Sequence, residues 1–339
     1  MVAPQKILII KLGAIGDVLR TTPILHGLKR KYPHSFITWL TLKESRELLR
    51  NNPLIGRLFI YGRQARQKLK RETFDILVCL DKEKEAITLA SALKAKTKIG
   101  FGRDEKTGRL IPLNKESFYA FRLGICDELK FRKNKKTYPE IIFEMAGLKY
   151  RKEGYMLDVP ANDKAYARRL FSKIGIKNKE PVIGLNTGAG SRFANKAWTR
   201  GGFIELIRLM RRHTRAIPLL LGGPRELKRN AWIFSRSGGL AYDAGCNHSL
   251  GKFAAIIDLC SLVVTSDTTA MHIAIALKKK VVALFGSTCA QEIELYGRGM
   301  KIFSALSCRP CYKKECKKKI NCMNSIKPQR VFQAVLKLL

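Results

Sequence analysis

The sequence predicts an α/β protein with two domains, each built on a parallel sheet, that face each other across a central cleft. The chain has 339 residues, more than a single hydrophobic core usually spans. Short apolar segments rich in β-branched residues alternate with helical patterns in the first half, as they do in parallel α/β sheets. The same alternation starts again near residue 180, which predicts a second domain of the same kind.

The first domain is predicted to span residues 1–165 and the second residues 166–326. Expected strands of the first lie at 6–12, 36–42, 58–61, 74–80 and 97–101, with helices at 138–148 and, near the junction, 162–173. Expected strands of the second lie at 181–187, 216–221, 262–266 and 281–285, with helices at 202–212, 225–237, 250–259 and 269–277. The last segment, 327–339, starts a helix with Pro328 and is expected to join the first domain.

The chain is strongly basic, with 65 Lys and Arg residues against 27 Asp and Glu residues and a formal charge of +38. Such a field attracts polyanions, including nucleic acid, an anionic membrane leaflet or a phosphorylated glycolipid. Lysine that replaces other surface residues through genome composition explains the charge equally well. Charge alone therefore selects no partner.

The sequence is expected to belong to a cytoplasmic protein. No apolar segment approaches the ~18 residues of a membrane span, and Lys11 interrupts the apolar N-terminal segment. Nine cysteines are an odd number for a secreted disulfide framework. Five of them lie in apolar context and are expected in the core: Cys79, Cys126, Cys246, Cys260 and Cys289.

The segment LVVTSDTTAMHIAIAL is the strongest local signal for a binding site. A buried strand ends at Ser266 and a helix follows, with Asp267 expected as its N-cap. The free amides of the first helical turn would favour a diphosphate, with Thr268 and Thr269 as hydroxyl donors. His272 either adds a donor or packs beneath the loop. Without other evidence, a helix start of this kind is more often only a capping motif.

Two further strand ends carry residues suited to a nucleotide. After one strand, Thr187 and Gly188 open a loop where backbone can approach phosphate, and Lys196 follows as a mobile charge or as one more surface lysine. After the next strand, Glu226 either holds ribose hydroxyls or provides favourable charge in a first helical turn.

The N-terminal KLGAIGDVL predicts a tight strand-to-helix turn at Gly13 and Gly16, with Asp17 at the helix start. Capping the helix is the simplest role for Asp17. If it faces the cleft, its carboxylate is instead suited to take a proton from an acceptor hydroxyl.

Together these segments resemble the heptosyltransferases of lipopolysaccharide core assembly, the family-9 glycosyltransferases of GT-B fold, which have two Rossmann-like domains. The resemblance rests on KLGAIGDVL with TTPIL, NTGAGS with KAW, LLGGPRE, SDTTAMHIA and CRPCYKKEC, in this order. The chain departs from it at Thr269, where family members commonly have a smaller residue, and at Thr199, where they commonly have proline.

The resemblance implies a donor like ADP-heptose in the C-terminal domain and an anionic glycolipid acceptor in the N-terminal domain, at the inner face of the cytoplasmic membrane. Asp17 then matches the catalytic base of an inverting transfer. Thr187, Gly188 and Lys196 match the phosphate loop, Glu226 the ribose contact, and 267–272 the diphosphate and sugar contacts. No cofactor is expected, and the absence of a D-x-D pair predicts transfer without a metal. We expect a monomer.

Basic residues of the first domain are candidates for holding the anionic acceptor, together with Gly13 and Gly16. The candidates are Arg63, Lys68 and Arg103, with Arg66, Lys70 and Arg71 beside them. A solvated helix face explains each of them equally well.

Four cysteines near the C-terminus, Cys308, Cys311, Cys316 and Cys322, lie within fifteen residues and could hold a structural zinc ion. The spacing of the second pair departs from that of a zinc ribbon, and plain reduced thiols are the preferred interpretation. Two other functions remain as alternatives. One is a basic nucleic-acid-binding protein with a cysteine knuckle. The sequence lacks the interleaved aromatic and basic residues that such a protein is expected to have. The other is a nucleotide-sugar enzyme such as an epimerase.

Overall fold

A computed structural model describes residues 4–177, 180–190 and 193–339, and for Ala194 it describes the backbone only. The chain divides into two compact units, Met1–Asp158 and Val159–Leu339. We call them the first unit and the second unit.

The first unit contains a six-stranded sheet in the order β3-β2-β1-β4-β5-β6. β6 pairs antiparallel with β5, and the other neighbours are parallel. The strands are β1 (Lys6–Ile10), β2 (Phe36–Thr41), β3 (Arg57–Ile60), β4 (Thr73–Cys79), β5 (Lys94–Arg103) and β6 (Leu110–Pro112). The helices are α1 (Ile15–Leu19), α2 (Ile24–Lys31), α3 (Arg46–Leu49), α4 (Arg63–Lys70), α5 (Lys84–Ala92), α6 (Phe118–Arg122) and α7 (Tyr138–Met145).

The central strand β1 shows why this sequence folds as a sheet covered on both faces. Its side chains alternate between two apolar clusters: Ile7 and Ile9 pack into one, and Leu8 and Ile10 into the other. All four are fully buried, as expected for a strand in the middle of a parallel sheet. This apolar run places the polar residues that follow it at the carboxyl edge of the sheet.

The second unit contains a six-stranded, fully parallel sheet in the order β12-β11-β10-β7-β8-β9. The strands are β7 (Val182–Asn186), β8 (Ile217–Leu221), β9 (Tyr242–Asp243), β10 (Leu262–Ser266), β11 (Lys280–Phe285) and β12 (Gly299–Phe303). The helices are α8 (Ala161–Lys173), α9 (Arg200–His213), α10 (Leu227–Arg236), α11 (Leu250–Asp258), α12 (Thr269–Ala276) and α13 (Pro328–Leu338).

The C-terminal helix belongs to the second unit, so the prediction that 327–339 joins the first domain is wrong. Val331, Phe332 and Val335 of α13 pack into the core cluster that includes Phe203 and Met210 of α9. The helix also contacts β10, β11 and β12. Its buried apolar residues thus pack within the second unit.

The boundary between the units falls between Asp158 and Val159, seven residues before the predicted one. The physical reason is that α8 packs against α11 of the second unit, so the whole helix belongs to that unit. In the part of the chain that the structure describes, no helix is both long enough and apolar enough to cross a membrane.

Candidate functional site

Both sheets have the same kind of topological switch point, the place where the strand order reverses. In open α/β sheets, ligands bind outside the carboxyl ends of the strands at this place. We call the carboxyl ends of β1 and β4 the first switch point, and those of β7 and β10 the second switch point. Most of the predicted site residues follow these four strands or the neighbouring β8.

A network of hydroxyl and amide groups joins the two strands of the second switch point. The Asn186 side-chain amide donates to Thr265 Oγ1 at 3.1 Å and to Thr268 Oγ1 at 3.3 Å. The two threonine oxygens lie 3.0 Å apart. Because Asn186 and Thr265 are buried, this network fixes where the chain leaves β10.

The helix after β10 begins at Thr269, as predicted, but its N-cap is not the predicted residue. Thr268, and not Asp267, is the N-cap of α12, and its side chain makes no capping bond because its hydroxyl is engaged with Thr265 and Asn186. The first-turn N–H groups of Thr269, Ala270 and Met271 have no carbonyl partner within the helix. An α-helix start without a side-chain cap favours an anion.

Lys196 connects the loop after β7 to this helix start. Its Nζ donates to the backbone carbonyl of Asp267 at 2.6 Å and lies 3.5 Å from Asp267 Oδ2. His272 Nε2 lies 3.8 Å from the other carboxylate oxygen, and the ring is buried. Lys196 is therefore not the surface lysine of the alternative interpretation, since only 15% of its side chain is exposed.

The loop after β7 meets the turn after β8. Thr187 is fully buried and its hydroxyl donates to Asn230 Oδ1 at 2.5 Å. A Cβ on Gly188 would lie 2.4 Å from the Glu226 carboxyl group, so only glycine lets the backbone pass this close. Glu226 Oε2 also accepts from the Gly223 N–H at 3.0 Å, which holds the carboxylate beside Gly188.

The first switch point contains a buried ion pair. Lys11 Nζ lies 2.6 Å from Asp81 Oδ1 and donates to the Leu80 carbonyl at 2.9 Å. The other carboxylate oxygen of Asp81 accepts from the N–H groups of Leu12 and Gly13. Burial alone would lower the pKa of the Lys11 ammonium, but the charge of Asp81, with smaller contributions from Tyr138 and Asp17, raises that pKa above its usual value.

Asp17 lies in the first turn of α1 and does not cap it, because the N-cap is Ala14 without a side-chain bond. Its carboxylate pairs with Arg20 at 2.8 Å and is 34% exposed. The Arg20 guanidinium stacks on the Tyr138 ring at 3.9 Å, so the cation beside Asp17 is held from two sides. Gly16 is buried within α1.

The basic candidates of the first unit do not form one cluster. Arg63, Arg66, Lys68 and Lys70 are exposed on α4, as the solvated-face interpretation expects. Arg103 lies on β5, where its Nε donates to the Gly108 carbonyl of its own hairpin. This contact of Arg103 therefore lies within its own hairpin and does not involve α4.

The C-terminal cysteines lie near one another without forming a metal centre. Burial raises the pKa of the Cys322 thiol, and the neighbouring Cys311, Cys316 and Cys308 raise it further. Within residues 4–177, 180–190 and 193–339, no group of three or more His, Cys, Asp or Glu side chains is placed to hold a metal ion. Four of the five predicted core cysteines, Cys79, Cys246, Cys260 and Cys289, are buried, and Cys126 is half-buried.

Sequence reasoning missed the polar residues that support the two switch points. Lys11 was visible as a charge inside an apolar segment, and Asp81 directly follows a predicted strand. Asn186 ends one buried strand and Thr265 is the residue before the end of another, which was the available signal for both. Arg20 and Tyr138 had no signal of this kind, since their contact depends on tertiary packing.

Comparison with known proteins identifies a family for this arrangement. The model of the family described as glycosyltransferase family 9 (heptosyltransferase) matches residues 63–321. The matched range includes Asp81 but begins after β1, Lys11 and Asp17. A lipopolysaccharide core heptosyltransferase of Haemophilus influenzae is 25% identical over 296 residues, which cover 84% of this chain and 79% of that protein.

Solved structures share the fold. The chain resembles a family 9 glycosyltransferase of Veillonella parvula with a TM-score of 0.81 at 19% identity, covering 100% of this chain and 98% of that one. It resembles an Escherichia coli heptosyltransferase solved with ADP with a TM-score of 0.63 at 18% identity, covering 98% of this chain and 97% of that one. These likenesses confirm the predicted GT-B fold class.

Proposed function

The chain belongs to glycosyltransferase family 9, the heptosyltransferase family, and from this membership we propose that it moves a heptose or a related sugar from ADP-heptose to an acceptor. The acceptor in this proposal is a lipopolysaccharide inner core or a similar anionic glycolipid. The observation that supports it best is the second switch point, where Lys196 reaches the uncapped start of α12.

The donor diphosphate is assigned to this helix start. The N–H groups of the first turn of α12 and the Lys196 ammonium would share its negative charge. Thr187 and Gly188 bring backbone close to the nucleotide, and Glu226 would accept hydrogen bonds from ribose hydroxyls. Asp267, Thr268, Thr269 and His272 would contact the diphosphate and the sugar. The structure of the Escherichia coli neighbour, solved with ADP, agrees with an adenine nucleotide.

The proposed reaction is a single displacement with inversion. Asp17 takes the proton of an acceptor hydroxyl, the oxygen bonds to the anomeric carbon, and the bond from that carbon to the diphosphate oxygen breaks. ADP leaves with the bonding electron pair. Lys196 and the α12 amides stabilise the charge that develops on the leaving diphosphate, so the step needs no divalent metal.

The acceptor is assigned to the first unit, with Gly13 and Gly16 near the base and Arg63, Lys68 and Arg103 as cations for its anionic groups. The formal charge of +38 would attract the protein to the anionic inner face of the cytoplasmic membrane, where such a glycolipid lies. We propose that the protein acts there as a monomer.

Transfer from ADP-heptose to a core glycolipid by purified protein tests the function. Asp17→Asn should lower kcat by about 10²- to 10⁴-fold and leave ADP affinity unchanged, because the base does not hold the donor. Asp75→Asn is the matched control, since Asp75 pairs with Lys96 on the same sheet away from the switch point. Near-normal turnover of Asp17→Asn would remove Asp17 as the base.

The same assay separates the alternatives. The product should have the inverted anomeric configuration by NMR, and a chelator should leave the rate unchanged. Conversion of the donor without acceptor would indicate an epimerase instead. Retention of configuration would contradict the single displacement.

A further inference from the structure

A pocket of about 180 Å³ lies in the second unit beside the proposed donor site. Phe285 and Phe303, the last residues of β11 and β12, line it together with Thr288, Lys301 and Arg309. At ~30 Å³ for each water, this volume corresponds to roughly six water molecules. It therefore has room for a phosphoryl group and part of the molecule that carries it.

Two cations line this pocket without a carboxylate partner. Lys301 Nζ donates to the Ala290 carbonyl at 2.8 Å, and Arg309 Nε donates to the Ser304 carbonyl at 2.5 Å. Neither residue has a salt bridge with any described carboxylate. The Arg309 guanidinium also stacks on the Phe303 ring at 4.8 Å, which orients it. Half-buried cations without a paired carboxylate favour an external anion.

Thr288 provides an independent sign of a missing partner. Its side chain lines the pocket and the residue is only 7% exposed, yet its hydroxyl has no hydrogen-bond partner. A buried hydroxyl without a partner is unfavourable, so such groups are rare unless a ligand or water binds them. Burial also lowers the pKa of the Lys301 ammonium, with Glu294 acting in the opposite sense, and a bound oxyanion would offset the effect of burial.

The pocket is separate from the proposed diphosphate site. Lys196 and the start of α12 follow β7 and β10, whereas the pocket follows β11 and β12 on the other side of β10. With strands about 4.8 Å apart, the ends of β10 and β12 are separated by roughly 10 Å. The two sites are nevertheless linked, because the Ser287 hydroxyl donates to Asn195 Oδ1 at 3.3 Å, directly beside Lys196.

We propose that this pocket is a second oxyanion site, held by Lys301, Arg309 and Thr288, which takes a phosphoryl group of the acceptor. The assignment to the acceptor rests on the proposed function, since the donor diphosphate is already accounted for at α12. The pocket itself, as a phosphate site, does not depend on that function. Binding there places an acceptor phosphate about two strands away from the departing diphosphate.

Calorimetric titration of inorganic phosphate into the full chain tests the pocket, with and without saturating ADP. Phosphate should bind in both conditions, and Lys301→Met should weaken it at least tenfold. Thr288→Val, which keeps the shape of the side chain, should weaken it severalfold. Lys280→Met is the matched control, since Lys280 is at the amino end of β11, and it should bind phosphate normally. All three variants should keep the ADP affinity of the unaltered protein.

Two results would overturn the pocket as a second site. One is equal phosphate affinity in the unaltered protein, Lys301→Met and Thr288→Val. The other is loss of phosphate binding when ADP is present, because the pocket would then be part of the donor site. Both results are informative even if no sugar transfer is detected, so failure of the pocket and failure of the proposed function can be told apart.

Transfer kinetics identify the source of the phosphoryl group. Lys301→Met should raise the KM for a phosphorylated acceptor about tenfold and leave kcat unchanged. It should not change the KM for the same acceptor after phosphatase treatment. An equal KM in Lys301→Met and the unaltered protein for both acceptors would show that the pocket takes free phosphate, which contradicts its assignment to the acceptor.

Discussion

The two switch points have the same strand order but use their charged groups in opposite ways. In the first unit, the carboxylate of Asp81 accepts from the Leu12 and Gly13 amides, and Lys11 neutralises it. In the second unit, the loop after β7 starts with a buried threonine and a glycine, and α12 begins without a side-chain cap. The first unit thus supplies a carboxylate to its own backbone amides, whereas in the proposed function the start of α12 receives the anion of a ligand. This difference explains why the diphosphate is assigned to the second unit.

Breaking the ion pair of the first switch point has the largest expected effect. Lys11→Met leaves the Asp81 carboxylate buried without its cation, which should destabilise the first unit by about 3–5 kcal/mol. Labelling of buried thiols measures each unit separately, because Cys79 ends β4 and Cys260 precedes β10. In Lys11→Met, Cys79 should react with a thiol reagent much faster than before and Cys260 should be unchanged.

The double variant Lys11→Met, Asp81→Asn controls for this effect. It removes the unpaired charge while keeping an acceptor for the amides of Leu12 and Gly13, so part of the stability should return. Equal Cys79 labelling in the unaltered protein and Lys11→Met would mean that the pair does not hold the first switch point together.

Filling the backbone gap at the second switch point should have an intermediate effect. Gly188→Ala places a Cβ 2.4 Å from the Glu226 carboxyl group, so the carboxylate must move. Overpacking of this kind costs about 1–3 kcal/mol, and we expect it mainly as a loss of ADP affinity of roughly tenfold to a hundredfold. Gly201→Ala is the control, because a Cβ there meets nothing within 4 Å. Unchanged ADP affinity in Gly188→Ala would separate Glu226 from the nucleotide.

The smallest effect concerns pH and applies to both units alike. Burial raises the pKa of the Cys79 and Cys260 thiols from 9.0 to about 12. Their neutral forms therefore stabilise the fold fully below pH 9, and this stabilisation is lost as the pH rises from 9 through 12. At pH 10 the thiols ionise in the unfolded chain but not in the folded one. The free energy of unfolding should therefore be lower by about 1 kcal/mol for each thiol than it is well below pH 9.

Denaturation at pH 8 and pH 10 of Cys79→Ala and the unaltered protein measures this difference. The variant should lose less stability between the two pH values. An identical loss in both would show that the Cys79 thiol does not ionise differently in the folded and unfolded chain.

Most strands of the two sheets could be predicted from the sequence. Buried parallel strands are apolar throughout, so β7, β8, β10 and β11 were expected within one residue of their observed bounds at every end. The edge strands β6, β9 and β12 were missed, because two of them have three residues or fewer and β12 is only partly buried. Short, half-exposed strands carry no clear hydrophobic period.

The places of the candidate site residues in the fold could be predicted from the sequence, but their contacts could not. Strand ends located Thr187, Glu226 and Asp267, since polar residues that follow buried strands lie at the carboxyl edge. The Lys11–Asp81 pair joins residues that are 70 positions apart, and no local pattern connects them. The N-cap of α12 was misplaced by one residue because Asp267 and Thr268 both suit that position, and the hydroxyl network around Asn186 decided it.

Calorimetric titration of ADP tests the central claim, that the second switch point binds the donor nucleotide and the first does not. Lys196→Met should weaken ADP binding by about tenfold to a hundredfold, since a hydrogen bond to a charged group contributes about 1.5–3 kcal/mol. Lys279→Met, which removes a lysine paired with Asp258 away from the switch point, should bind ADP normally, as should Asp17→Asn. Normal ADP affinity in Lys196→Met, or loss of affinity in Asp17→Asn, would contradict the account.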